Sequence, residues 1–216
     1  MDVLRSYINS IRRDFANRPL DENSVPENPY QLFEQWFEDA VGSEILDPYA
    51  MMISTADEHQ QPSSRVVYMR DISESGIIFY TNYLSHKGHD LSVNHKISAL
   101  FFWVELERQI RIEGIAEPVS PEISDAYFAS RPRESQIGAW ASAQSSEIES
   151  REELERLVLE YTEKFKDQEV PRPPHWGGYL IRPEKFEFWQ GRPSRLHDRI
   201  TFKRDAGTWQ RKRLAP

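Results

Sequence analysis

The sequence predicts an α+β fold in which helices pack on an antiparallel β-barrel. Short runs of β-branched and aromatic residues recur between residues 50 and 117 and again after residue 177. The short intervals between these runs are typical of antiparallel strands, and several such strands favour a barrel. Amphipathic stretches around them predict the helices. With 216 residues, 38% of them hydrophobic, the chain is large enough for a substantial core.

The N-terminal region predicts a helix followed by a polar arm. Residues 3–15 have an amphipathic pattern, whereas residues 16–28 are polar and contain two prolines. We therefore expect residues 1–28 to form a mobile helix and arm, and residues 29–216 to form a single domain.

The second helix has recognisable signals at both ends. Asn28 and Pro29 are typical of an N-cap and a first helical residue, and Gly42 is typical of a helix end. Its apolar face comprises Leu32, Phe33, Trp36, Phe37 and Ala40.

The remaining elements follow from periodicity and turn residues. Strands are expected at residues 50–55, 63–70, 76–81, 97–103 and 109–117, with a helix at 85–94. Further helices are expected at residues 121–129, 133–140 and 150–165, before the proline-rich run 171–174. Three strands follow at residues 178–181, 185–190 and 199–204, and the last forms a hairpin through 205–207 with residues 208–213.

Composition excludes several classes of function. A net charge of −8 argues against general binding of nucleic acid or anionic membranes. The absence of cysteine excludes disulfides, thiolate nucleophiles and cysteine-based metal sites, and the six histidines lack a spacing that predicts a metal site. Because no signal-like or membrane-spanning run is found, we expect a cytoplasmic protein with no membrane partner.

Two segments carry candidate anion-binding groups. In the strand 65–70, Arg65, Val67 and Met69 alternate with Val66, Tyr68 and Arg70, so an arginine lies on each face. The segment 80–87 passes from a strand into a helix whose first turn offers free N–H groups, with His86 and Lys87 beside them, as a phosphate site requires. Solvated strand ends and an ordinary N-cap with an exposed lysine are the structural alternatives.

Two further clusters between residues 127 and 145 add to the candidate site. Tyr127, Arg131 and Ser135 are four residues apart, and if the region is helical they share a face rich in donors for a phosphate ester. Gln144 and Ser145 follow a run of small residues that permits close backbone approach. A helix-end arginine beside a hydrogen-bonded tyrosine is the structural alternative for the first of these clusters.

The most informative stretch is residues 187–199, which combines an aromatic ring, two arginines and a histidine. Trp189 could stack on a flat ring, while Gln190 or Arg199 could bind its polar edge. Arg195 and His197 lie two residues apart, on one side of an extended chain. Together the clusters predict two phosphate-sized anion sites and a strip that binds a ring, hence two phosphorylated ligands side by side.

These motifs resemble the pyridoxine (pyridoxamine) 5′-phosphate oxidase family, which uses FMN to make pyridoxal 5′-phosphate. The resemblance covers nearly the whole chain in family order. The matching segments are residues 65–70, 79–82, 107–109, 127–128, 130–133, 135–140, 144–145, 176–179, 187–191, 195–199 and 213–216. It implies a Greek-key split β-barrel flavoprotein that forms a homodimer with FMN at the subunit interface.

The resemblance also assigns roles to residues. The resemblance assigns FMN contacts to one continuous segment and to nine further residues. The segment comprises Arg65, Val66, Val67, Tyr68, Met69 and Arg70, and the further residues are Tyr80, Thr81, His86, Lys87, Gln109, Gln144, Ser145, Trp189 and Arg199. Arg70, Tyr127, Arg131 and Ser135 correspond to the clamp for the substrate phosphate. The residues that correspond to the cover over the substrate ring are Arg195, Leu196 and His197, with Arg195 and His197 as catalytic residues. A mobile segment that closes the site corresponds to Arg12, Arg13, Asp14 and Phe15.

The implied reaction is hydride transfer from a bound alcohol or amine to the flavin, with O₂ as acceptor and H₂O₂ as product, and NH₃ released from the amine. Two positions depart from the family pattern, because Arg70 stands where lysine is usual and His86 where arginine commonly precedes the matched lysine. Three alternatives stay open: a related FMN oxidase of the phenazine type, a non-enzymatic split-barrel carrier of FMN or heme, and delivery of pyridoxal phosphate beside catalysis.

Overall fold

The computed structural model describes residues 2–10, 14–15 and 19–216. Within this part of the chain the helices are α1 (Asp2–Ser10), α2 (Pro29–Gly42), α3 (His86–Val93), α4 (Pro121–Ser130), α5 (Arg133–Ala141) and α6 (Arg151–Lys164). The strands are β1 (Ala50–Ala56), β2 (Pro62–Tyr68), β3 (Asp71–Ser73), β4 (Gly76–Asn82), β5 (Lys96–Trp103), β6 (Arg108–Pro118), β7 (Trp176–Gln190), β8 (Asp198–Asp205) and β9 (Thr208–Arg213). These elements confirm the predicted α+β class.

The described strands form one sheet in the order β2-β1-β5-β6-β7-β4-β3, with β8 paired to β7 and β9 to β8. The pairs β1–β2, β3–β4, β4–β7, β7–β8 and β8–β9 are antiparallel, as the short connections predict. None of the helices in the described ranges is long and apolar enough to cross a membrane.

The chain divides into two compact units built from separate segments. The first contains Met1–Pro48, Leu100–Ile112 and Lys185–Pro216, and the second contains Tyr49–Ala99 and Glu113–Glu184. The boundary predicted at residue 28 stays a prediction.

The core of the first unit is aromatic. Helix α2 begins where the sequence predicts, because the Asn28 side chain accepts a 3.0 Å hydrogen bond from the backbone N–H of Tyr30. Its buried face places Trp36 edge-on to Phe188, with ring centroids 5.3 Å apart, and Phe33 edge-on to Phe101 at 5.2 Å. The predicted apolar face of this helix is therefore the one that packs on the sheet.

The second unit has an aliphatic sheet core and a separate helical cluster. Ile53, Ile77 and Phe79 are fully buried in strands β1 and β4. In a second hydrophobic cluster, Phe128 of α4 and Ile137 of α5 pack with Phe165, Val170 and Trp176. This second cluster supports the wall of the candidate site.

The predicted first helix is wrong at its C-terminal end. Helix α1 ends at Ser10, whose hydroxyl donates to the carbonyl of Tyr7 at 2.9 Å, and Asp14 and Phe15 lie in no helix. The Asp14 carboxylate accepts the backbone N–H of Phe15 at 3.0 Å. Such local bonds from short polar side chains compete with helical hydrogen bonding.

Two strand predictions also require correction. The run 63–70 ends at Tyr68, because the backbone N–H of Arg70 donates to Ile78 and leads into the short strand β3. The predicted strands 178–181 and 185–190 are one strand, β7, despite Pro183. Pro183 lies between the part of β7 that pairs with β4, which ends at Ile181, and the part that pairs with β8, which begins at Lys185.

The C-terminal hairpin is confirmed. Asp205 pairs with Thr208 across a two-residue turn in which Ala206 and Gly207 have φ values of 45° and 87°. This left-handed pair is the turn geometry that matches the twist of antiparallel strands.

Candidate functional site

A pocket of about 810 Å³ lies in the second unit and collects most of the residues predicted for the anion sites. Its wall contains the cations Arg65, Arg70, Lys87 and Arg131, whereas no aspartate or glutamate is among the described residues that line it. The wall also contains the predicted residues Val66, Val67, Tyr68, Tyr80, Thr81, His86, Tyr127, Ser135, Gln144 and Ser145. The pocket therefore favours an anionic ligand.

Lys87 is held in the first turn of α3, where strand β4 leads into the helix. The Ser85 hydroxyl caps this helix, and Lys87 is buried. Its Nζ donates to Thr81 Oγ1 at 3.1 Å, to Ser85 Oγ at 3.0 Å and to Gln144 Oε1 at 3.1 Å. Burial, followed by the charge of Arg65, lowers the pKa of Lys87 to about 8.

Arg65 is fixed by short polar side chains of its own strand, β2, and of the neighbouring strand, β1. Its guanidinium donates to Thr55 Oγ1 at 2.6 Å and to Ser63 Oγ at 2.5 Å. Both hydroxyls donate in turn to Oδ2 of Asp90, which is buried in α3 and lies 3.8 Å from the Arg65 guanidinium. Asp90 was not among the predicted residues, although its position four residues after His86 places the two on one helix face.

These contacts fit a phosphate group. Burial lowers the pKa of both Arg65 and Lys87, which indicates that two cations are held partly desolvated in the pocket wall. A bound dianion would offset this cost, and the N-terminus of α3 adds backbone N–H groups to the same region. The two pocket-lining cations, Arg65 and Lys87, therefore suit a phosphomonoester.

A second pair of cations, Arg70 and Arg131, lines the same pocket. Nη1 of Arg131 is buried without a hydrogen-bond partner among the described residues. Burial lowers the pKa of Arg131, and the charge of Arg70 lowers it further. An unpartnered buried donor is costly unless a ligand accepts from it, so this pair also points to an anion.

Pro132 separates the elements that carry the other donors of this pair. Helix α4 ends at Ser130, Arg131 is its C-cap, and Pro132 is the N-cap of α5. Tyr127 and Ser135 consequently lie on different helices, so the condition for a shared helical face, one continuous helix, is not met. The turn between the helices nevertheless brings all three predicted residues into one pocket wall.

Arg70 lies against aromatic rings at the end of β2. Its guanidinium carbon is 5.1 Å from the ring centroid of Tyr68 and 5.5 Å from that of Tyr49. Planar guanidinium groups stack on such rings more effectively than ammonium groups. Stacking on these two rings therefore explains why an arginine fits this position.

The first unit holds the second group of predicted residues. His197 Nδ1 accepts a 3.1 Å hydrogen bond from the backbone N–H of Arg192, and its ring contacts Trp189 and Phe15. Burial, followed by the charge of Arg195, lowers the pKa of His197. The imidazole is therefore poised in its neutral form near pH 7.

The loop before His197 is conformationally strained. Ser194 and Arg195 have φ values of 57° and 62°, a region that residues other than glycine rarely adopt. Consecutive residues of this kind persist only where the surroundings enforce them, and they cluster at functional sites.

Asp198 connects this loop to both ends of the chain. Its Oδ2 accepts the backbone N–H of Leu20 at 3.0 Å, and its Oδ1 accepts from Arg213 at 2.7 Å. Arg213 also donates to the Leu20 carbonyl and to Glu22. Leu20 and Glu22 of the polar arm are thus fastened to Asp198 and Arg213, next to the predicted catalytic residue His197 in the chain.

Gln190 and Arg199 are engaged within the protein. Gln190 is buried and donates to the carbonyls of Leu106 and Glu107. Arg199 donates to Glu187 at 2.8 and 2.9 Å and to the carbonyl of Ala215. These bonds give both side chains a structural role, and the contact of Arg199 with FMN stays a prediction.

The other predicted residues have varied positions. Met69 is buried outside the pocket lining, and Gln109 lies half-buried in β6 of the first unit. Leu196 is exposed. Asp14 and Phe15 belong to the first unit, whereas Arg12 and Arg13 lie outside the described residues.

Comparison with known proteins identifies the family of this chain. Residues 37–165 match the pyridoxamine 5′-phosphate oxidase family model. The chain belongs to this family. Residues 176–216 match the model of the pyridoxine 5′-phosphate oxidase C-terminal dimerisation region.

Family relatives are similar over almost their full length. The pyridoxine/pyridoxamine 5′-phosphate oxidase of Ralstonia pickettii is 50% identical over 97% of this chain and 99% of its own. The oxidase of Rubrobacter xylanophilus is 47% identical over 98% of both chains.

Solved structures confirm the split-barrel class of the fold. PhzG from Burkholderia lata 383, in complex with tetrahydrophenazine-1-carboxylic acid, is 31% identical with a TM-score of 0.86 and covers 93% of this chain and 99% of its own. An FMN-binding protein related to pyridoxamine 5′-phosphate oxidase from Nostoc punctiforme has a TM-score of 0.70 at 13% identity, which shows the fold alone. As a member of this oxidase family, the chain is an oxidoreductase of a flavin-binding class.

Proposed function

We propose that this protein oxidises pyridoxine 5′-phosphate or pyridoxamine 5′-phosphate to pyridoxal 5′-phosphate, with FMN as cofactor and O₂ as acceptor. The alcohol and O₂ yield the aldehyde and H₂O₂, whereas the amine also consumes water and releases NH₃. The observation that carries this proposal is the pocket that holds two pairs of cations and, among its described lining residues, no carboxylate. The similarity to oxidases of this name at 50% identity supports it.

The first pair of cations would hold the FMN phosphate. Arg65 and Lys87 supply charge, and the N-terminus of α3 supplies backbone N–H donors. Gln144 and Thr81 join Lys87 in one hydrogen-bond network and would contact the ribityl chain. The chemistry that FMN supplies when bound is acceptance of a hydride from the substrate carbon and reoxidation by O₂.

The second pair would hold the substrate phosphate. Arg131 offers an unpartnered donor, and Arg70, Tyr127 and Ser135 lie in the same wall. Fixing the phosphate would orient the substrate, so binding energy far from the reacting carbon would contribute to the rate.

Arg195 and His197 are proposed to act on the substrate ring. Arg195 would orient the ring and stabilise charge that develops near the reacting carbon. His197 would donate a hydrogen bond through Nε2, since Nδ1 is occupied by the Arg192 N–H. The segment around Phe15, whose ring contacts His197 and Trp189, would limit water access.

We further propose a homodimer with FMN at the subunit interface. The match of residues 176–216 to the family's dimerisation region supports this assembly.

The test is an aerobic assay of FMN-loaded protein with pyridoxine 5′-phosphate, in which pyridoxal 5′-phosphate and H₂O₂ are measured together. We expect equal formation of both, and much slower turnover of pyridoxine, which lacks the phosphate. A protein that retains FMN but oxidises only a non-phosphorylated tricyclic acid would contradict the proposal, and would favour a phenazine-type oxidase like the PhzG neighbour.

A further inference from the structure

The family motif Trp176-Gly177-Gly178-Tyr179 has no role in the function proposed so far. It begins strand β7, and Trp176 is the member that lines the pocket. The ring is buried, with an exposed fraction of 7%. Its position beside the second pair of cations gives it a specific relation to the proposed substrate phosphate.

Trp176 lies beneath the guanidinium of Arg131, a half-buried residue whose Nη1 atom is fully buried. The Cζ atom of Arg131 is 4.6 Å from the Trp176 ring centroid, within the range of an attractive cation–π interaction. A carboxylate at this position would neutralise Arg131 and compete with an anionic ligand. The face of an aromatic ring stabilises the cation and leaves its N–H donors available, as the unpartnered Nη1 shows.

Trp176 also belongs to an aromatic stack that contains Tyr127. Tyr80, Tyr127 and Trp176 have nearly parallel rings, with interplanar angles of 3° to 8°. The centroids of Tyr80 and Tyr127 are 3.8 Å apart, and that of Tyr80 is 5.4 Å from Trp176. The Trp176 centroid is 6.2 Å from that of Tyr127, so Trp176 acts on Tyr127 together with Tyr80, and the stack restricts the rotation of this pocket-lining ring.

The backbone of the motif is fixed on both sides. The Trp176 carbonyl accepts from Arg172 at 2.7 Å, and Arg172 is held in turn by Asp125. A Cβ atom at Gly177 would lie 2.1 Å from the hydroxyl of Tyr83, so only glycine permits this close approach. The rigid backbone makes Trp176 a stationary platform.

We propose that Trp176 is a positioning residue that pre-organises Arg131 and Tyr127 for the phosphate of the substrate, and thereby sets selectivity for phosphorylated substrates. This inference rests on the proposed function. In this view, part of the affinity for the phosphorylated substrate depends on Trp176, which acts through its contacts with Arg131 and Tyr127.

The test compares the affinities of the FMN-loaded enzyme for pyridoxal 5′-phosphate and pyridoxal, each measured by calorimetry. We expect Trp176→Leu to weaken binding of the phosphorylated compound about tenfold and to leave binding of pyridoxal nearly unchanged. Trp176→Phe retains an aromatic face and should lose about threefold. The KM for pyridoxine 5′-phosphate should rise in parallel while kcat changes little.

Trp140→Leu is the matched control, because Trp140 packs against the same hydrophobic cluster and is not part of the pocket lining. We expect this variant to lose stability but to keep the wild-type ratio of the two affinities. Should Trp176→Leu fail to fold, Trp176→Phe alone decides the question through that ratio.

An unchanged ratio in folded Trp176 variants would overturn the platform role. An equal loss for both compounds would also overturn it, because that result is expected of general damage to the pocket. If the wild-type enzyme itself does not distinguish pyridoxal 5′-phosphate from pyridoxal, the proposed function fails instead.

Discussion

The backbone N–H of Arg192 donates a hydrogen bond to Nδ1 of His197 at 3.1 Å. In the neutral imidazole, a nitrogen that accepts a hydrogen bond carries no proton, so the ring proton must reside on Nε2. Burial and the charge of Arg195 lower the pKa of this ring, which favours the neutral form. His197 therefore presents a hydrogen-bond donor through Nε2.

Substitution of His197 tests this tautomer. Glutamine can place an amide N–H near the position of Nε2, whereas asparagine reaches only to that of Nδ1. We expect His197→Gln to retain kcat/KM within about fivefold of wild type and His197→Asn to lose about 50-fold, comparable to the loss of a hydrogen bond to a charged group. Long-range ¹⁵N NMR of the wild-type ring should show protonation at Nε2. Protonation at Nδ1, or equal activity of the two variants, would contradict the assignment.

The pKa of about 8 for Lys87 predicts a pH dependence of cofactor binding. As the pH rises through this value, the free site loses a positive charge, so the affinity of the apoprotein for FMN should fall by about tenfold between pH 7 and pH 9.5. Riboflavin lacks the phosphate, and its affinity should stay flat over the same range. Flavin fluorescence quenching measures both.

Lys87→Arg supplies the control for this titration, since arginine remains charged throughout. Its FMN affinity should be nearly independent of pH. A pH dependence in Lys87→Arg equal to that of the wild type would assign the effect to another group.

The position of Arg70 over two tyrosine rings predicts the effect of a lysine at this position. Arg70→Lys keeps the charge but loses planar stacking, so the KM for pyridoxine 5′-phosphate should rise about threefold with kcat unchanged. Arg70→Met removes the charge and should raise KM by at least tenfold. Steady-state kinetics distinguishes the two, and a similar KM for both variants would show that the Arg70 charge does not bind substrate.

The bond between Asp198 and the backbone of Leu20 predicts how the arm is fastened. Asp198→Asn weakens the acceptor for both Leu20 and Arg213, and we expect amide hydrogen exchange at Leu20 to accelerate about tenfold. Exchange at buried strand positions such as Phe79 should not change. If Leu20 exchanges at the wild-type rate in this variant, the carboxylate does not hold the arm.

Local chemistry allowed much of the fold to be predicted from the sequence. The start of α2 depends on Asn28 and Pro29, which lie next to the groups they cap. The hairpin turn depends on Ala206 and Gly207. The cations of the pocket were likewise recognisable, because Arg65, Lys87 and Arg131 each lie within a short motif of fixed spacing.

Partners distant in sequence could not be predicted in this way. Asp90 supports Arg65 through hydroxyls contributed by two strands, and Trp176 supports Arg131 from 45 residues away along the chain. The side-chain amide of Gln190 could bind a ligand, yet it donates hydrogen bonds to two backbone carbonyls in the connection between β5 and β6.

The sequence by itself determined which residues form strands, helices, turns and cationic motifs, since these properties arise from interactions between near neighbours. Only the tertiary structure decided that β7 continues past Pro183, that Arg199 bonds to Glu187, and that an aromatic ring rather than a carboxylate lies beneath Arg131. The physical reason is that burial and pairing depend on which distant segments meet, and the cost of a buried charge or a missing N–H depends on the partner found there.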